Sequence, residues 1–381
     1  MRRDARGLPP MNGPRLLLVA GASLVGQNVL AALAGRRARL RVATTGSVAD
    51  DPFLFDGDAA YLTPPTADVG AFERRLAEIL GAEEPDLVIP CRDEDVVLLA
   101  SLRERRPELA PRLLCGTLAA ARIMRDKWAS SIFASEHTLP YAPSIIAGGD
   151  RPLADFAREH GFPLVAKPRS GFGSLGVFLV CDERQLLRAA AADGYLFQQY
   201  LGDAGEVTRF RHGIEDAGVP LFHSFEGRKL SIQALIAPDG SIVGPFCTRH
   251  TMRQGRSDRV ETEVAAELFE LGERCARAFA AAHWRGPLNV QCQRTPGGPV
   301  FIHEFNGRFT GATAARHLLG FDEVGLALAR FTGRGMPEPA VPTMRAREVV
   351  RVPLSRAVDP TQVATLVRAG VWRRGESDAL P

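Results

Sequence analysis

The sequence has no close pair of cysteines. Its six (Cys91, Cys115, Cys181, Cys247, Cys275 and Cys292) are scattered along 381 residues, so neighbours cannot assemble a zinc site or a redox motif. Most sit in apolar runs such as LVIPC and RLLCG, where reduced cysteine acts as a small core residue. Charge bias is missing too. Lys plus Arg exceed Asp plus Glu by only 47 − 44 = 3, which gives no argument for nucleic acid or a membrane surface as partner. No apolar run reaches the length of a membrane span, and residues 1–10 are rich in Arg and Pro instead of forming an apolar leader. The expected location is therefore the cytoplasm. Internal repeats and low-complexity tracts are absent as well.

What is present is a globular composition, 45% hydrophobic and 24% charged, on a chain long enough for two or three domains. From Arg15, apolar runs alternate with helical stretches: RLLLVAG, SLVGQNVLAALAG, LRVATTG, VGAFERRLAEILG, DLVIPC, EDVVLLASLRER. That order predicts a parallel, Rossmann-like α/β domain over residues 1–123. After the Pro-rich HTLPYAPSII comes a smaller α+β piece, 124–197, with a glycine-rich loop. A strand-rich region, 198–345, follows; it holds a hairpin at APDGS and a helix expected from Glu261 to Ala282. An extension, 346–381, is expected to be partly disordered, with residues 1–13 and the end RRGESDALP as loose tails.

Two stretches carry chemistry. In KPRSGFGSLGVF, Lys167 ends an apolar strand, and Ser170, Gly171, Gly173, Ser174 and Gly176 form a loop before the next strand. Glycine lets backbone N–H groups crowd an anion while the lysine adds a point charge, a combination suited to a polyphosphate. The ending of a Walker loop is absent, and an ordinary glycine hairpin is the alternative. In FIHEFNGRF, 301–309, strict alternation puts Ile302, Glu304, Asn306 and Arg308 on one face and Phe301, His303, Phe305 and Phe309 on the other. Glu304 and Asn306, with Gln291 on the neighbouring NVQCQ run, offer the hard oxygens that Mg²⁺ prefers. Arg308 could grip an anion bidentately. A merely solvated polar face is the competing explanation.

Together these residues resemble the ATP-grasp superfamily, in its carbamoyl-phosphate-synthase-like branch. The likeness runs from about Arg15 to about Gly333, with RDKW, KPRSGFGSLGV, FQQYL, TMRQGRSDRV, GPLNVQ and EFNGRFTG in the family's order. The resemblance implies a parallel-sheet domain followed by a two-part α+β grasp. It also implies ATP as cofactor with Mg²⁺, two ions with Mn²⁺ able to replace them, and small-molecule carboxylate and amine substrates joined through an acyl phosphate. It leaves room for a homodimer. On this basis Lys127 and Lys167 touch phosphates, and Gln198, Gln199, Tyr200 and Leu201 form the hinge that reads adenine through its backbone. Gln198 stands where an acid is common. Phe178 and Leu201 sandwich the base or belong to the core. Lys229 contacts ribose or is an exposed strand lysine. Gln291, Glu304 and Asn306 hold metal, and Arg308 and Arg253 face the acceptor. Arg316 and His317 are further candidates at the mouth, whereas His250 and His303 lack metal-site spacing. The stretch 203–225 exceeds the usual connection and is expected to be an extra hairpin. Two other readings stay open: an enzyme activating bicarbonate, and a nucleotide-binding protein without catalysis. A NAD site at VAGASLVG is disfavoured, because only Gly21 and Gly26 are present and no acid follows the second strand.

Overall fold

The computed structural model describes residues 13–171, 173–219, 225, 228–253, 256–334, 346–352 and 354–375. Strands β1 (Arg15–Val19), β2 (Arg41–Gly46), β3 (Ala59–Leu62) and β4 (Leu87–Pro90) alternate with helices α1 (Leu24–Ala32), α2 (Val69–Glu83) and α3 (Asp93–Arg105), and α4 (Leu118–Arg125) follows. The strands run parallel in the order β3-β2-β1-β4. After Arg15, strand β1 is apolar because helices cover both its faces: Leu17 and Val19 enter one core cluster, Leu16 and Leu18 another. The turn GASLVG has a packing cause. A Cβ on Gly26 would lie 2.1 Å from the carbonyl oxygen of Gly21, so glycine lets α1 start hard against the strand, with Ser23 capping its N-terminus.

The next unit contains α5 (Lys127–Glu136), β5 (Ser144–Ile146), α6 (Leu153–His160), β6 (Leu164–Pro168), β7 (Phe178–Val180), α7 (Glu183–Ala190) and β8 (Tyr195–Gln199). Its four strands pair antiparallel in the order β5-β8-β6-β7. One face packs on α6 and α7 through Phe156, Leu164, Leu186 and Phe197. The other face is left for the cleft.

The stretch after β8 departs from expectation. Residues 204–217 form helix α8 (Ala204–Ala217), not a hairpin. Asp203 caps it, and AGEVTRFRHGIEDA carries none of the β-branched alternation a hairpin needs; residues 220–224 of the stretch lie outside the described ones. A large antiparallel sheet follows, built from β9 (Arg228–Ile236), β10 (Ile242–Arg253), β11 (Arg256–Thr262), β12 (Gly286–Arg294) and β13 (Val300–Asn306), with α9 (Ala266–Ala281) crossing behind it. The APDGS turn joins β9 to β10, with Ala237 N bonded to Ser241 O at 2.8 Å. The helix expected from Glu261 starts at Ala266, because residues through Thr262 pair in the sheet.

Short helices α10 (Thr313–Leu318) and α11 (Glu323–Thr332) lead to β14 (Glu348–Val350), which completes the order β13-β12-β9-β10-β11-β14. The chain then returns to the first domain through α12 (Pro360–Ala369) and β15 (Val371–Arg373). Strand β15 adds antiparallel to the β3 edge, and Trp372 packs edge-on against Phe55 at 5.2 Å. The expected loose end thus begins later than Arg373, since the tryptophan finds a ready apolar seat; residues 376–381 and 1–12 lie outside the described ones. Five cysteines are buried and Cys181 is partly exposed, all of them free. No helix among the described residues is long and apolar enough to cross a membrane.

Candidate active site

The cleft lies between the four-stranded sheet and the β9–β12–β13 face of the large one, with a volume of about 370 Å³. Cross-strand register builds its floor. Gln291 of β12 stands opposite both Ser231 of β9 and Glu304 of β13; one row on, Asn289 stands opposite Gln233 and Asn306. Polar residues spaced two apart on three strands therefore form adjoining rows.

Alternation on β13 breaks at a bulge. Cys292 pairs with Ile302 while Gln291 pairs with Glu304, so His303 is the extra residue. Ile302 consequently joins Phe305 in the core, and His303 lines the cleft beside Glu304, the reverse of the expected faces. The cause lies in the connector before β5. Pro140 O and Ala142 N bracket Ile302 with two 2.7 Å bonds, holding that residue inward. The His303 carbonyl is thereby freed to accept from Lys167 Nζ at 3.1 Å and from Tyr141 Oη at 3.0 Å. Burial and the nearby Lys229, Lys167 and Lys127 hold the His303 ring well below the ordinary histidine range, so it is neutral.

Two lysines come together over this floor. Lys127 opens α5, where Asp126 caps the helix and is clamped by Arg169 at the end of β6. Its Nζ lies 3.2 Å from Glu304 Oε1 and donates to Gly171 O at 3.5 Å. Lys167, only 6% exposed, donates to Gln198 Oε1 at 2.8 Å. Burial brings its ammonium down to about 7; Glu304 opposes this shift, while Lys127 and Lys229 add to it. Gln198 in turn donates to Ser144 Oγ at 2.9 Å, so this amide orients Lys167 without supplying it a charge. Lys229 donates to Gln293, and burial lowers its pKa.

The remaining expected residues divide. Gly171, Gly173, Ser174, Gln198, Gln199, Tyr200 and Leu201 line the cleft; Phe172 of the same loop lies outside the described residues. Ser170 turns away and donates to Arg125 O at 3.3 Å. Phe178 is 57% exposed and stacks on Tyr195, whereas its neighbour Leu179 lines the cleft opposite Leu201. The apolar wall is one residue further along β7 than expected, and one step on a strand exchanges faces. Arg253 is 72% exposed and reaches Asp258 at 3.7 Å, outside the cleft that its neighbour Met252 lines; Gln254 and Gly255 after it lie outside the described residues. Arg316 does not face the mouth: it is fully buried in an ion pair with Glu323 at 2.7 Å. His317 pairs with Asp322. Beyond the hinge the cleft continues into a hollow of about 410 Å³, walled by Asp203 and Glu206 at the start of α8 and by Arg249 and Arg294.

Arg308 reaches the first domain. Its Nη2 donates to Asp93 Oδ2 at 2.8 Å and to Asn306 Oδ1 at 3.3 Å. Asp93, Asp126, Ser144 and His303 are site residues that motif reading missed. Asp93 follows β4 directly, at the carboxyl end of a parallel sheet where ligands gather, which was a usable signal. The donor set also suits a nucleotide-bound ion. No cluster of three or more His, Cys, Asp or Glu able to hold a metal exists among the described residues; Asn306, expected as a third metal ligand, instead gives its Oδ1 to Arg308, so Glu304 and Gln291 would need phosphate oxygens to complete a Mg²⁺ shell.

No protein-family model and no curated protein matches the chain. Solved structures do. The N5-carboxyaminoimidazole synthetase of Staphylococcus aureus is 13% identical with a TM-score of 0.62, over 87% of this chain and 81% of that one. The biotin carboxylase of Campylobacter jejuni, in a complex with ATP, is 15% identical with a TM-score of 0.62, over 85% and 72%. The biotin carboxylase domain dimer of the Hydrogenobacter thermophilus 2-oxoglutarate carboxylase, in complex with MgADP and bicarbonate, is 14% identical with a TM-score of 0.62, over 86% and 71%. With one parallel-containing sheet and, about the cleft, two antiparallel ones, the chain shares the fold of these structures, the ATP-grasp fold.

Proposed function

We propose that the chain is an ATP-dependent carboxylate–amine ligase. The observation that carries this reading is the placement of Lys127, Lys167, Gln291 and Glu304 around one cleft with the glycine loop and the 198–201 hinge. A substrate carboxylate oxygen attacks the γ-phosphorus, the bond to the ADP oxygen breaks, and an acyl phosphate forms. An amine nitrogen then attacks the acyl carbon, loses a proton, and phosphate leaves.

This chain's residues supply position and charge, which is most of what phosphoryl transfer asks of a protein. Backbone groups of the hinge hold the adenine against Leu179 and Leu201. Phosphate oxygens favour the charged form of Lys167, whose pKa burial has lowered to about 7, and Lys127 balances charge from the floor side. Glu304 and Gln291 would hold Mg²⁺, whose contribution is to neutralise charge on the phosphate oxygens. Arg308 orients the carboxylate. Closure of the glycine loop excludes water from the acyl phosphate.

Bicarbonate as the activated carboxylate is a second reading, favoured by one feature: Arg308 and Asn306 do not line the open cleft, so the anion place beside them is small. The test is Mg-dependent ADP release over a panel of carboxylates, bicarbonate included, and amines, with hydroxylamine as trap. A hydroxamate supports the ligase; nucleotide binding without turnover on any acceptor supports a sensor. Glu304→Ala and Lys167→Ala should each abolish ADP release with the fold intact, and near-parental release from both would refute the site.

A further inference from the structure

The acceptor end of the site is closed by the protein itself. Arg308 and Asp93, with side chains 14% and 15% exposed, form an ion pair across the boundary between the first domain and the large sheet. The other terminal nitrogen of Arg308 donates to Phe309 O at 3.1 Å. Asn306, 3% exposed, turns its Oδ1 to this guanidinium, because its amide nitrogen would face another donor there. Its Nδ2 is left buried, without a hydrogen-bond partner. Buried amide donors are rarely left unpaired in native proteins unless a ligand or water completes them. An unused N–H therefore adjoins a guanidinium whose present partner is a carboxylate of the chain.

We propose that Asp93 is a resident stand-in for the substrate carboxylate. It occupies Arg308 in the empty protein and is displaced when substrate oxygens take both Arg308 Nη2 and Asn306 Nδ2. The inference rests on the ligase reading and deepens it, naming a small carboxylate as the ligand and internal competition as its control. Released Asp93 has a place to go, since it opens α3, where unpaired helix amides favour an anion. Nearby Arg92 does not compete for it, being held by Asp95 at 2.8 Å and Glu94 at 3.4 Å. The arrangement keeps the Arg308 charge paired before substrate arrives, at a cost in affinity for every carboxylate.

The sign of one substitution separates this role from simple positioning. Full-length parent and Asp93→Asn, both saturated with MgADP, are titrated calorimetrically with bicarbonate, formate and acetate. The inference expects carboxylate dissociation constants about tenfold lower in the variant, one competing ion pair having been removed, with MgADP affinity unchanged. Weaker or equal carboxylate binding by a folded variant overturns it, as does failure of both proteins to bind any of the three anions. Should Asp93→Asn not fold, Asp93→Ser is read the same way. Failure of the parent to bind MgADP would strike the ligase reading alone, and the same titrations without nucleotide then decide the role of Asp93.

Discussion

Replacing Lys167 by methionine should stabilise the protein at neutral pH and, on the proposed ligase reading, abolish ATP binding. Burial takes the ammonium from its ordinary 10.5 to about 7. Because the folded value lies below the unfolded one, the unfolded chain binds more protons between these limits, and stability rises with pH across that window. The cost is full below pH 7, about 4–5 kcal/mol at about 1.4 kcal/mol per pH unit of displacement, and disappears near pH 10.5. Methionine escapes the cost but leaves Gln198 Oε1 without its donor, a loss of about 1–3 kcal/mol. The variant should therefore be more stable by about 2–3 kcal/mol at pH 7. That advantage should shrink by about 3 kcal/mol on going to pH 9.5. Urea unfolding of both proteins at several pH values measures it. A stability difference that stays constant between pH 7 and 9.5 would refute the claim that burial lowers the pKa of Lys167.

Gln198→Glu gives Lys167 a charged partner; calorimetry at pH 8 in buffers of different ionisation enthalpy should find that MgADP binding, which takes up about one proton in the parent, takes up almost none in the variant. Gly307→Ala places a methyl 2.7 Å from Trp284 Cζ2 and from Met124 Cε. It should cost about 1–3 kcal/mol by overpacking and lower turnover by shifting Arg308, checked by urea midpoint and ADP release. Arg316→Met strands the fully buried Glu323 carboxylate and should cost about 3–5 kcal/mol, whereas the Arg316→Met, Glu323→Leu double variant should recover most of it.

Local order was legible in the sequence, but register was not. Parallel strands announced themselves because both faces are covered and the run is apolar after its first residue, as in RLLLV. Lys127, Lys167, Gln291 and Glu304 were readable as candidates from their residue types and motifs, and the structure brings them to one cleft. Phe178 was misplaced by one residue and Ile302 by one face for a shared reason: the facing partner sets which side of a strand is inward, and a bulge held by distant Pro140 and Ala142 leaves no mark in FIHEFN. The motif match placed Arg253 at the acceptor, yet its side chain reaches Asp258 instead. Arg316 looked like a substrate ligand because its partner Glu323 is recruited from the next helix, beyond any local pattern. Asp93 had only its place after β4 to mark it, since its partner Arg308 is 215 residues away.

The pairing of β15 with β3 imposes an order on biosynthesis. When the ribosome has made the first four strands, the β3 margin of their sheet is still bare, and the segment that covers it is not made until residues 371–373. Synthesis of β15, not completion of the four parallel strands, is then the moment at which that margin stops being available for mispairing with other chains.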